Sequence, residues 1–249
     1  MNIPPKKTIT INFSQMDSGR EIITRWAVLF FIVFIMPVLL GFKYVIGMFS
    51  SADFLLYSIA FITFITCALM NFKFTFYLAR QFDILKKYRN DLSLETAFGE
   101  DSDSLLCSHM NKLEGKHHLS NKSTIRQDTL IETMHVKLKR QDYVSPLASN
   151  LLITFGLVGT IVGLITTMTG LETAVGQFSN SETFLEGVKS SLSGMGTAFY
   201  TTLVGAVLGG ITLRVLHSYT DNKATMLVAE IAEVTDVRVL PLLVKQEKE

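Results

Sequence analysis

The sequence predicts an all-α integral membrane protein with four transmembrane helices, two of them extended into the cytoplasm. Three observations predict it. Four largely apolar stretches carry no charged residue, with 17 residues at 26–42, 19 at 54–72, 29 at 143–171 and 24 at 190–213. Each, with its flanks, reaches the ~20 residues that a helix needs to cross roughly 30 Å of hydrocarbon. Hydrophobic residues make up 48% of the 249, mean hydropathy is +0.34, and Lys and Arg gather beside the same ends of the apolar stretches.

The order of elements follows from charge. Segment 1–25 holds Lys6, Lys7, Arg20 and Arg25, and 80–146 holds 11 basic residues, whereas the turn at 50–53 has none and 172–189 has three Glu against one Lys. By the positive-inside rule both termini and the long loop face the cytoplasm. In the amino-terminal segment KKTITINF alternates like a strand, too briefly to define one. The outer helix pair spans 26–79. Its first apolar core is too long for a cleaved signal peptide and is expected to remain in the chain. Pro37 is expected to kink that helix, and Lys43 and Lys73 to snorkel to an interface.

The cytoplasmic segment 80–146 opens with a helical continuation of the second span over 80–96. GEDSDS and LEGKHHLSNK in 99–121 predict a break, and a helix over 123–143 returns to the membrane. The inner helix pair occupies 147–216, with 172–189 as its connection. Segment 217–249 is a cytoplasmic helix and tail, with the helix over 217–240, because Leu216, Met226 or Leu227, Ile231 and Val234 recur at near-helical spacing. The pairs differ in chemistry: 26–76 has 11 Phe and two Gly, while 147–213 without its connection has two Phe and nine Gly. Bulky rings suit a lipid-facing belt, and small residues let helix backbones approach closely.

Several functions are disfavoured. Net charge is +1, with no basic field for nucleic acid. No Walker loop, GxSxG, HExxH or dinucleotide fingerprint is present, so no enzyme is expected and no cofactor. Cys107, His109, His117 and His118 are metal-binding types, but their spacing fits no compact zinc pattern. Cys67 and Cys107 are expected as free thiols.

The inner pair carries the chemistry. Gly156, Gly159 and Gly163 share a broad helix face, and Thr160 and Thr167 lie nearly in line. Beyond the connection come Thr197, Thr201 and Thr202, then Gly205 and Gly209 as a GxxxG. By themselves these are packing notches whose hydroxyls bond to the preceding turn. A scaffold built on such packing is one alternative, and a secondary transporter another, although no inverted repeat with broken helices is evident.

GLVGTIVG followed by SLSGMGTAFYTTLVGA resembles the MotA/TolQ/ExbB proton-channel family, whose motifs are GLxGTxxG and A-x-x-x-T-x-x-G in successive spans. Thr160 and Thr202 match the motif threonines. The resemblance implies a ring, generally a pentamer, in a bacterial inner membrane. The ring surrounds a dimeric single-span partner related to ExbD, TolR or MotB, whose membrane aspartate carries protons, with sodium the less expected ion. It implies that Thr160 and Thr202 face the central cavity, and Thr197, Thr201 and Thr167 are expected along the same path. The chain departs from ExbB-like and TolQ-like members where their acid precedes the second threonine by about five positions; Thr197 stands there instead. No span carries Asp or Glu, so the carboxylate must come from the partner. The extra amino-terminal span resembles MotA. What work the ring performs is left open, with import, envelope maintenance, motility and phage defence all served by this ring type.

Overall fold

The computed structural model describes residues 17–35, 38, 54–90, 104–119 and 127–239, and all the regular structure among them is helical. Helix α1 is Gly19–Phe30, passing into a π-helical turn at Phe31–Ile35. Ser18 caps it, accepting a hydrogen bond from the Glu21 backbone N–H, and Glu21 places a negative charge in the first turn. The start of α1 is pressed into α2: the Gly19 N–H donates to Asp83 Oδ1 at 2.8 Å, and a Cβ on Gly19 would strike the Ala79 carbonyl.

Helix α2, Phe54–Asn90, joins the second span and its charged continuation in one 37-residue rod. Helix α3, Leu105–Leu119, corrects the break expected over 99–121. Leu106, Met110 and Leu113 recur on one face and are buried, and the Leu105 N–H docks on Gln81 Oε1 at 3.0 Å. That apolar stripe outweighs Gly115, whose missing side chain would meet open space. Helix α4, Asp128–Gln141, occupies the later part of the helix expected at 123–143.

After a two-residue turn at Asp142 and Tyr143 comes α5, Val144–Gly176, and then α6, Ser181–Gly205. Both run well into the expected 172–189 connection, which shrinks to a turn at 177–180. Asn180 caps α6 by accepting from the Glu182 N–H at 3.1 Å. A π-helical stretch, Ala206–Leu213, joins α6 to α7, Arg214–Val234, with another at Thr235–Val239. In the first of these the Thr212 hydroxyl donates to the Val207 carbonyl five residues back, at 2.9 Å, matching the wider π turn.

Three helices among the described residues are long and apolar enough to cross a membrane: Tyr57–Arg89, Val144–Gly176 and Ser181–Val237. The expected first span begins on α1; Pro37, Lys43 and most of 36–53 lie outside the described residues, as do KKTITINF and 91–96. Lys73 is exposed, as snorkelling requires.

Two cores hold the helices. In the charged half, Ile22, Leu78, Phe82, Met110, Leu138, Leu227 and Ile231 join α1, α2, α3, α4 and α7. Each such side chain removed from water contributes about 1.5–3 kcal/mol. In the apolar half Tyr57, Phe64, Ala148, Leu152 and Leu208 join α2 to α5 and the π stretch. Trp26, Phe30, Phe34 and Phe64 stack in succession at 4.7–5.4 Å between α1 and α2. Part of the aromatic content expected against lipid thus ties the first pair of helices together.

Candidate functional site

Helices α5 and α6 run antiparallel and interlock through their small residues. A Cβ on Gly163 would stand 2.5 Å from the Ala198 backbone nitrogen and 2.6 Å from the Gly194 carbonyl. One on Gly194 would stand 2.5 Å from the Thr167 nitrogen, and one on Gly159 2.5 Å from the Thr201 side chain. Gly156 lies against Gly205, and Gly209 against the Ser149 carbonyl, to which it returns the favour: the Ser149 hydroxyl donates to Gly209 O at 2.8 Å. Gly170 and Gly187 close the far end. Backbone meets backbone over much of the seam, with Gly159 instead making room for the Thr201 side chain, and glycine at these positions allows that close approach.

That seam sorts the five threonines. Thr167 and Thr201, each 2% exposed, are buried in it. Thr167 donates to Gly163 O at 2.9 Å and reaches Ser191 O at 3.3 Å; Thr201 donates to Thr197 O at 2.9 Å. Thr197 is buried as well. Thr167, Thr201 and Thr197, expected along an ion path, are thus packed between helices of a single chain.

Thr160 and Thr202 differ. Thr202 is exposed and Thr160 half-buried, and their hydroxyls share a hydrogen bond across the mouth of the seam. Each also lies within bonding distance of its own helix: Thr160 Oγ1 to Gly156 O at 3.0 Å, and Thr202 Oγ1 to Ala198 O at 3.1 Å. Two hydroxyl protons therefore serve three contacts. One hydroxyl must turn to its partner or to its carbonyl, and both keep lone pairs open to an incoming donor. A pair with interchangeable proton positions and no fixed charge suits hydrogen-bonded contact with a mobile acid. Around it α5 and α6 expose Leu157, Ile161, Leu164, Phe199 and Leu203, an apolar face unlike the surface of a water-soluble protein.

A second polar constellation escapes sequence reasoning. Asp142, in the turn between α4 and α5, is buried; its Oδ1 accepts from the Ser145 hydroxyl at 2.6 Å, and its Oδ2 lies 2.7 Å from His217 Nδ1 and 3.2 Å from Thr220 Oγ1. Asn71 of α2 reaches Ser145 at 3.4 Å and Thr220 at 3.2 Å, and accepts from the Trp26 indole N–H at 2.9 Å. His217 lies four positions past Leu213, outside the apolar stretch. The Asp142 carboxylate beside it raises its pKa above the usual histidine value of 6.5, against the opposing effect of burial. The signal was present: Asp142 is the last charge before one apolar stretch, and His217 closely follows the other.

Beyond it, buried Lys223 bonds to Asp17 at the foot of α1 and holds that carboxyl below its usual 3.8, with Arg25 adding a 3.0 Å ion pair. Among the described residues, no group of three or more His, Cys, Asp or Glu is placed to hold a metal ion. His109 is buried, Cys107 half-buried, and the side chains of His117 and His118 lie outside the described set.

Compared with known proteins, the model of the MotA/TolQ/ExbB proton channel family matches residues 101–233. That range takes in α3 to α7 and extends to both sides of the motif-bearing 147–216. No curated protein and no solved structure matches the chain.

Proposed function

The chain belongs to the MotA/TolQ/ExbB proton channel family, and we propose that it is the ring-forming subunit of a proton-driven motor in the bacterial inner membrane. The observation that carries this reading is the Thr160–Thr202 hydroxyl pair, left open at the mouth of an otherwise closed α5–α6 seam. In the proposed assembly, a pentamer with four spans per subunit and both termini cytoplasmic, these hydroxyls face a single-span partner dimer. That partner carries the membrane aspartate which this chain lacks. Each proton crossing at 100 mV releases about 2.3 kcal/mol, besides the pH term. The threonine pair exchanges hydrogen bonds with the partner's carboxyl as it is protonated and released, and the rigid seam holds the pair in place while the partner moves. Thr167, Thr201 and Thr197 take no part in that exchange.

Thr160→Val and Thr202→Val keep shape and remove the hydroxyl. Each is expected to abolish proton-driven work in cells while the purified ring keeps its mass and its partner. A chain that purifies only as a monomer, and captures no single-span protein with a membrane acid, overturns the reading. A packing-only scaffold is favoured by the burial of Thr167 and Thr201; it predicts that both valine variants remain fully active.

A further inference from the structure

The turn at Asp142 and Tyr143 is where the charged helix α4 gives way to the apolar helix α5. Its carboxylate reaches α7 through His217 and Thr220, and through Ser145 and Asn71 the contact continues to α2 and to Trp26 on α1. Five helices are thus joined by one hydrogen-bond network whose centre is a buried acid, at the shared end of both motif helices. The one ring in this network that titrates near neutrality is not sealed in: the His217 side chain is 28% exposed. It lines a cavity of about 200 Å³ with Lys139, Tyr143, Asp221, Phe74 and Pro146.

Resting on the channel reading for what it controls, we propose that the Asp142–His217 clasp is a cytoplasmic pH sensor that tightens the α4–α5 turn onto α7 when the cytoplasm acidifies. The chemistry is a single proton transfer. Water in the cavity delivers a proton to the free Nε2 of a neutral imidazole whose Nδ1–H already donates to Asp142. The imidazolium turns that contact into a charge-assisted bond, and returning the proton to water reverses it. The surrounding charges favour this exchange. Asp221, one turn further along α7, and Asp142 both attract the imidazolium; Lys139 of α4 opposes it but is paired with Asp221 at 3.7 Å. Tyr143 lines the same cavity, and from α2 Phe74 packs beside it and Asn71 bonds to Thr220. Protons flowing inward would charge the clasp, hold the ends of α5 and α7 together, and so slow further inflow.

Trp26 is the only tryptophan and its indole is bonded into the network, so its emission reports the clasp in the intact protein. Wild-type protein in detergent is expected to show an emission step with a midpoint above pH 6.5. In Asp142→Asn the midpoint falls toward or below 6.5, and in His217→Gln the step disappears while far-ultraviolet dichroism is unchanged. A step that persists in His217→Gln, or that is missing from wild type, overturns the sensor. In vesicles holding the complex with its partner, inward proton flux in wild type should fall severalfold as the cytoplasmic-side pH drops through that midpoint, and His217→Gln should abolish this dependence. Flux that responds identically in both proteins overturns the regulatory role. A His217-dependent emission step in a complex that conducts no protons overturns the channel reading instead.

Discussion

At the scale of single residues, glycine decides where the inner helices touch. Gly163→Ala sets a Cβ 2.5 Å from backbone at Ala198 and is expected to destabilise the chain by about 1–3 kcal/mol, as overpacking does. Gly115→Ala, on the open face of α3, is expected to stabilise by about 0.5–1 kcal/mol, because it only restricts the unfolded chain. Thermal unfolding of the two variants in one detergent checks both signs. Titration acts at the same scale. His217 has a folded-state pKa above 6.5, so its contribution to stability is fully present below pH 6.5 and is lost as pH rises through the folded value. The free energy of unfolding measured across that range should fall toward alkaline pH in wild type and less so in His217→Gln. The motif threonines were legible as residue types in the sequence. Their separation into one open pair and three buried members was not, because Thr201 and Thr202 are adjacent and only the packing of α5 against α6 shows which faces out.

At the scale of elements, the apolar stretches marked α2, α5 and α6 because absence of charge over ~20 residues has few other causes. Helix ends were less legible. Polar helix turns continue α5 to Gly176 and bring α6 in at Ser181, since cap and packing, rather than hydropathy, set those limits. Helix α3 was hidden by its polar surroundings, although Leu106, Met110 and Leu113 carry a helical stripe. The foot of α1 offers a test of element docking. Asp17→Ala leaves the buried Lys223 ammonium without its carboxylate, and should loosen α1 from α7 by about 1–3 kcal/mol, the cost of a buried donor left without its partner. The pair also has a pH sign: Asp17 is held below 3.8, so its contribution is present above that value and is lost as pH falls through the lower folded one. Hydrogen exchange along 19–30 reads the loosening directly, and unchanged protection in Asp17→Ala would show that the Asp17–Lys223 pair does not dock the helix.

At the scale of the whole molecule, the chain divides its labour between a glycine-locked helix pair and a charged base. The seam of α5 and α6 is closed to water along most of its length, and the polar network at Asp142 ties its end to α1, α2 and α4. The sequence marked Asp142 and His217 only by their places beside the apolar stretches; their pairing was not legible because the network's members, from Trp26 to Thr220, are far apart in the chain and meet only after five helices have packed. α5 and α6 leave a broad apolar surface uncovered by the rest of the chain. The most direct test of the central claim is proton uptake by vesicles holding the chain with its single-span partner, under an imposed membrane potential. The account predicts inward flux in wild type and a loss of at least about a hundredfold in Thr202→Val, the scale of one lost proton-handling group, with assembly intact. Equal flux in the two proteins, or none in wild type, would contradict it.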